Sequence, residues 1–333
     1  VRGGNHENNG AVKVAREYRE KYGWEMPTLK LARIMYAENK LLFMSLEKAR
    51  SRLRWIEGKM GERSRRMSTN ITLPERSRTP YKLPEAEEFA YEPYIIDAKK
   101  VLVMSDVHLP YHDVPAISAA IEYAQNEDID AILLNGDTLD FYTLSRFIKD
   151  PKARSFAHEL LTFQLFIEAL GQAFPDAKVY IKLGNHDERY QHYLWTKAGE
   201  LDGVEEFELK NIIKKRAPEA EVIGDKRIIK LGALNVLHGH EFGQSIFSPV
   251  NVARGLFLRG KVSAMQGHNH QTSEHTESNM NGEITTTYSV GCLCNLTPGY
   301  LPINKWNHGF AIVDVNGQDF HVRNYRIHKG QVL

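Results

Sequence analysis

The sequence predicts an α/β fold with a basic helical region at its N-terminal end, and three observations predict it. From about residue 99, apolar runs bounded by polar loops alternate with helical stretches, the pattern of βα units. After about residue 220 the helices thin out and the apolar runs read as antiparallel strands. Residues 1–82 hold 19 Lys+Arg against 9 Asp+Glu, whereas the remainder holds 24 against 33, so a net charge of +1 hides two differently built parts.

Taken in order, "VRGGNHENNG" is polar and rich in Gly and Asn, and is expected to fray. "AVKVAREYREKYG" is helical up to Gly23, a suitable C-cap. In "PTLKLARIMYAEN", Pro27 lies near the first helical turn, where proline is tolerated. "SLEKARSRLRWIEGKMG" starts on Ser45 as N-cap and stops at Gly58. Its Leu46, Ala49, Leu53 and Ile56 form an apolar stripe flanked by Lys48, Arg50, Arg52 and Arg54. Residues 1–60 therefore read as a basic helical accessory region. Pro74, Pro80, Pro84 and Pro93 then break any regular element, and 61–98 reads as a linker or surface strap.

The body, 99–333, opens with the strands "KKVLVMSD", "DAILLNGD" and "AKVYIKLGNHD", with helices expected near 114–126 and 152–173. The later strands are "RIIKLGALNVLHGHE", "EITTTYSVGCL" and "FAIVDVNGQDFHVRNYRI". No apolar run approaches the roughly 18–20 residues of a membrane helix and no signal peptide is read, so a cytoplasmic protein with no membrane partner is expected. The only cysteines, Cys292 and Cys294, alternate along the apolar "VGCLCNL". That rules out a disulfide framework and reads as strand packing, since CxC lacks the CxxC spacing of redox and metal pairs.

The chemistry lies where the strands end. The first finishes in Ser105-Asp106-Val107-His108, the second in Asn135-Gly136-Asp137 with Asp140 close behind, and the third in Gly184-Asn185-His186-Asp187. Later come His238 and His240 in "LHGHEFG", then His268 and His270 in "MQGHNHQT". Open α/β sheets place ligands at the carboxyl ends of their strands. Singly, such residues are turn chemistry or hydrogen-bonded core. Together they form a set of carboxylates, imidazoles and an amide oxygen suited to borderline-to-hard divalent metals, with no thiolate needed. His112, His158, His192 and His308 have no spacing that calls for a metal. Arg189, Arg254 and Lys261 are cations near the motif loops, read as solvated surface or as phosphate contacts.

In this order, "DVH", "GDTLD", "GNHDE", "LHGH" and "GHNH" resemble the signature of the calcineurin-like metallophosphoesterases over about residues 100–315. The resemblance implies a four-layer α/β/β/α sandwich and a cofactor of two divalent metal ions (Mn, Fe, Zn or Ni). Carried over residue by residue, it implies Asp106, His108 and His270 on one metal, Asn185, His238 and His268 on the other, and Asp137 bridging them. His186 would face the substrate phosphate or leaving group as the catalytic histidine. Two such cations can share one water and make it a hydroxide for in-line attack on phosphorus. Asp140 and Asp187 read as groups that orient ligand imidazoles, with helix N-terminal acid as the other reading of Asp140. His240 reads as a substrate contact, an orienting neighbour or plain surface.

The function these residues predict is two-metal cleavage of phosphoesters, foremost as a phosphodiesterase acting on nucleic acid or nucleotides. The basic N-terminal region suits nucleic acid. There Trp55 reads as a base-stacking platform or as packing. A phosphomonoesterase or protein phosphatase stands as the alternative, weakened by Phe141 where the family's protein phosphatases carry Arg. A non-catalytic DNA-binding scaffold is the third reading. The segment 291–311, with its prolines and aromatic residues, reads as an ordered loop near the last strands that shapes a substrate pocket or simply packs.

Overall fold

The computed structural model describes residues 10–61, 64, 91–148, 155–224, 226–243 and 250–333. The chain divides into two compact units, Val1–Phe89 and Ala90–Leu333. Most of the stretch read as a strap lies outside the described residues, as does nearly all of the N-terminal end expected to fray. The end of that strap belongs to the second unit, where Tyr94–Ile95 pairs as a strand.

The first unit packs three helices, α1 (Gly10–Tyr22), α2 (Thr28–Glu38) and α3 (Leu46–Ile56). Ser45 caps α3 by accepting the Lys48 amide, and Gly58 takes a φ of 70° just past its end. Ala49, Leu53 and Ile56 are buried against Val12, Ala15, Leu31 and Met35, with Leu46 and Trp55 packed half-buried at the edge. Trp55 therefore spends much of its ring on the core of its own unit. Arg19 is fully buried in an ion pair with Glu57, and its guanidinium donates to the Gly23 and Met26 carbonyls at 3.2 and 2.7 Å. One of the basic charges thus closes the α1–α2 turn rather than facing a partner.

The second unit is built on two sheets. The seven-stranded sheet runs in the order β13, β12, β11, β2, β3, β4, β5, from Gln331–Val332, Asp319–His328, His308–Asn316, Lys100–Met104, Ala131–Asn135, Lys178–Lys182 and Glu221–Ile223. Its β2 to β5 are parallel and β11 joins antiparallel. The six-stranded sheet runs β1, β6, β7, β8, β10, β9, from Tyr94–Ile95, Ile229–Leu231, Leu234–Leu237, Ala264–Gln266, Ile284–Ser289 and Ser273–Ser278.

Strand alternation sorts the apolar residues into two cores. Leu102, Met104, Ile132 and Leu134 face one way, onto α4 (Val114–Ala124) and α5 (Phe156–Ala173). Val101, Val103, Ala131 and Leu133 face the other way, onto Ile229, Val236 and Met265 of the second sheet and Val290 just past β10. On that sheet's far side, α8 (Val252–Gly260) buries Leu256 with Leu237 and Ala264. Two shorter helices, α6 (Arg189–Lys197) and α7 (Leu209–Lys214), lie between β4 and β5 in the chain. The layers are α/β/β/α, the expected sandwich. No helix among the described residues is long and apolar enough to cross a membrane.

The later strands read from the sequence pair antiparallel as expected, β6 with β7, β10 with β9 and β11 with β12, and the departure is a strand not read there. β8 runs parallel to both β7 and β10, and α8 supplies the crossover from β7 to β8. A parallel neighbour needs such a crossover, and a three-residue strand carries too little period to announce itself.

Glu159 of α5 is fully buried, and its Oε2 accepts the Phe141 amide at 2.8 Å. Burial, with Asp140 nearby, pushes its carboxyl up to about 8 from an ordinary 4.5. The folded chain therefore keeps a proton that the unfolded chain loses, and stability falls as pH rises from about 4.5 to about 8. Glu159→Gln is expected to flatten the thermal midpoint across that window and to raise it at the upper end, read by circular dichroism. Parallel wild-type and variant profiles would remove the buried neutral acid from the account.

Candidate metal centre

Every predicted ligand lies at or just past the carboxyl end of a strand, or in the loop that follows it. Asp106 and His108 follow β2, Asp137 follows β3, Asn185 follows β4, His238 follows β7, and His268 and His270 follow β8. Asp106, His108, Asp137, His268 and His270 all take positive φ, between 50° and 65°. This region is costly for residues other than glycine, and it concentrates where structure is held for function. Backbone bonds hold the loops to one another. The Asp106 amide donates to Gly136 O at 3.1 Å, His108 N to Asp137 O at 2.9 Å, and Gly267 N to His238 O at 2.9 Å. Gly267 makes the closest approach, where a Cβ would lie 1.9 Å from Ser105 Oγ, and at Gly184 a Cβ would lie 2.3 Å from Asp137 Oδ1.

Two groups of side chains converge. In the first, His270 Nε2 lies 3.0 Å from Asp106 Oδ1 and 3.3 Å from His108 Nε2. In the second, His238 Nε2 lies 3.2 Å from Asn185 Oδ1 and 3.3 Å from Asp137 Oδ2, with His268 close by. Asp137 Oδ2 also stands 3.8 Å from His108 Nε2, so this one oxygen faces both groups.

The tautomers show what the space between them requires. His238 Nδ1 must donate to the Asn135 carbonyl at 2.8 Å, because a carbonyl can only accept. A neutral His238 then aims the lone pair of Nε2 at a carboxylate oxygen and an amide oxygen. His108 repeats the arrangement: Nδ1 donates to Asp140 Oδ1 at 2.9 Å, leaving Nε2 to face His270. Acceptors turned on acceptors call for a cation.

The charge balance agrees. Burial alone would raise Asp137, but His238, His186 and His108 hold it well below the ordinary range. Burial would lower His238 and His270, yet Asp137 pushes the first up to about 10 and Asp106 the second to about 10. Protons there stand in for the positive charge that the buried carboxylates need. Burial and the neighbouring His238 press His268 down to about 4, leaving it the neutral imidazole a metal requires. The residues fit divalent metal in both groups.

The surroundings refine the expected roles. Asp140 is buried, and its Oδ1 accepts from both His108 Nδ1 and His186 Nδ1, at 2.9 and 2.8 Å. Asp187 does not orient an imidazole. Its carboxylate accepts the Leu139 and Gly184 amides at 3.1 and 2.8 Å, joining two loops, and burial beside Asp137 raises it to about 7. His240 is half-buried and ties to Glu188 Oε1 at 3.1 Å. His186 does not face open space: Nδ1 is held by Asp140, and Nε2 accepts from Arg189 at 2.9 Å.

Arg189 is therefore drawn into the site. Trp306 was not singled out from the sequence, although its loop was. Its ring lies 4.1 Å from that of His270, centroid to centroid. The Lys182–Glu241 pair, 2.9 Å apart with Lys182 fully buried, steadies the His238 loop, since Glu241 also accepts the His238 amide. A cavity of about 610 Å³ opens from His108 and Asp140, and the 291–311 loop supplies most of its wall.

Two facing sheets between helical layers, with candidate ligands gathered at their strand ends, define a metallophosphoesterase scaffold. The chain belongs to the calcineurin-like phosphoesterase family, whose model matches residues 99–287. Its chemistry is accordingly metal-dependent hydrolysis of phosphoesters. The gene 54 protein of Mycobacterium phage L5 is 28% identical over 234 residues, 66% of this chain and 91% of that protein. Among solved structures, vacuolar protein sorting 29 from Cryptosporidium parvum is 16% identical, covering 71% of this chain and 95% of that one with a TM-score of 0.39. Vps29 from Chaetomium thermophilum is 14% identical, covering 71% and 95%, with a TM-score of 0.36.

Proposed function

We propose that the second unit is a phosphodiesterase working with two divalent cations, one on Asp106, His108 and His270, the other on Asn185, His238 and His268, with Asp137 shared. The observation that carries this reading is the position of Asp137 Oδ2, 3.3 Å from His238 Nε2 and 3.8 Å from His108 Nε2. Bound there, the cations would activate water as the nucleophile and offset charge on the phosphoryl oxygens. The chain does the rest. The Asn135 carbonyl and Asp140 fix the tautomers of His238 and His108, and the His186 amide donates to Asp137 Oδ1 at 2.8 Å, keeping its carboxylate in place. Arg189, beside His186, offers a guanidinium to a phosphoryl oxygen.

Preference for a diester rests on the lack of Lys and Arg in the described cavity wall. Phe141, where the protein phosphatases of the family carry Arg, is fully buried among Phe156 and Tyr190. Among the described residues, none lining the cavity is Lys or Arg. A singly charged diester suits such a site better than a doubly charged monoester. Nucleic acid as substrate has its support in the charge of residues 1–82.

The test is a screen of metal-analysed, full-length protein against p-nitrophenyl mono- and diesters and single- and double-stranded DNA and RNA. Metal-dependent turnover with diesters ahead of monoesters is expected, and chelator should abolish it. Monoesters ahead of diesters would overturn the diesterase reading in favour of a monoesterase. Full metal content without turnover of any ester would favour a scaffold.

A further inference from the structure

The cavity beside the ligand groups has a composition that the hydrolytic chemistry does not require. Tyr111, Tyr142, Tyr300 and Trp306 wall it, while His108 and Asp140 form its buried end. Its volume of about 610 Å³ falls within the roughly 300–1,000 Å³ of small-molecule sites. The rings stand in two edge-on pairs, Tyr111 with Tyr142 at 6.2 Å and Tyr300 with Trp306 at 6.5 Å between centroids. Trp306 also lies against the candidate ligand His270, so the aromatic wall begins at the ligand groups themselves. Tyr300 is 67% exposed, so its ring is open to an occupant of the cavity.

Two features choose the occupant. The absence of Lys and Arg from the described lining argues against a second phosphate or a run of backbone there. Asn295, which lines the cavity, adds a polar group: its Oδ1 accepts from the Thr297 amide and hydroxyl at 2.9 and 3.2 Å, so its Nδ2 is the group that can donate to an occupant. A flat heterocycle with acceptors on its edge satisfies both the rings and the amide.

We propose that this cavity holds the base of a nucleoside phosphoester whose phosphorus rests at the ligand groups. The proposal rests on the phosphodiesterase reading and deepens it by naming the organic part of the substrate. Bases stack on aromatic side chains with little sequence preference, so the site takes nucleosides as a class. The same chemistry is offered by a free nucleotide and by the end of a strand.

The experiment compares methyl p-nitrophenyl phosphate with thymidine p-nitrophenyl phosphate, two diesters that share a leaving group, on the metal-loaded full chain and on Tyr300→Ala. The thymidine ester is expected to have the higher kcat/KM, and the ratio should fall at least about fivefold in the variant, as loss of one stacking ring implies. Equal kcat/KM for the two esters in the wild type overturns the base site while leaving the diesterase reading intact. No turnover of either overturns the diesterase reading instead, and a binding measurement then decides the base site. Adenosine should quench tryptophan fluorescence saturably in the metal-free protein, and more weakly in Tyr300→Ala. Ribose phosphate quenching as well as adenosine would sink the proposal. A dinucleotide and a short single strand separate the sources: cleavage of the dinucleotide alone assigns free nucleotides, and shortening of the strand from one end assigns strand ends.

Discussion

Asp137→Asn is expected to reduce turnover of a p-nitrophenyl diester by well over the roughly 10–100-fold that loss of an outer hydrogen-bond partner costs, with bound divalent metal falling alongside. The size follows from position. Asp137 is buried, and one of its oxygens faces both groups of candidate ligands. Asparagine keeps the shape and can still accept the His186 amide through Oδ1, so the fold has no reason to change. What disappears is the negative charge between two cations. Its amide nitrogen, a donor, would be turned toward His238 or His108, and a donor hydrogen repels a cation. Metal analysis by mass spectrometry and a diester assay measure the two effects, with circular dichroism as the check on folding. Near-normal turnover at full metal content would remove Asp137 from its shared role and, with it, the two-cation reading.

The sequence disclosed the ligands better than what supports them, and the reason is physical. Asp106, His108, Asp137, Asn185 and His238 follow apolar runs, and a strand end is a local event, whereas His268 and His270, past the three-residue β8, are legible only through the "GHNH" motif. Even the positive φ of Asp106, His108, Asp137, His268 and His270 has a local trace, because Asp and His are enriched among the non-glycine residues that adopt it. Support is a matter of tertiary position. Asp140 accepting two imidazoles and Asp187 turned onto the Leu139 amide depend on loops that only the fold brings together. The early β-strands were legible because both of their faces are buried, so each reads as an unbroken apolar run. β8 was hidden by its three residues, and its parallel pairing by a crossover helix whose apolar face is short.

His186→Asn is expected to separate chemistry from metal binding, lowering kcat by about 100- to 10,000-fold while metal content stays at the wild-type level. The bonds that orient the ligands do not run through this ring. Asp140 still accepts from His108 Nδ1, and Arg189 still donates to the Asp140 carbonyl at 2.8 Å. The ring's own bonds point toward the reaction. Asp140 holds Nδ1, and Nε2 accepts from Arg189, an arrangement that a phosphoryl oxygen would disturb by being the stronger acceptor for the guanidinium. Substrate entry would then free Nε2 beside the departing oxygen, held in direction by Asp140 and placed to carry a proton to it. The opposite outcome is equally defined. His186 also comes within ligand range of His108 and Asp137, so a variant that lost metal along with turnover would make the ring a ligand and leave Arg189 as the group nearest the leaving oxygen.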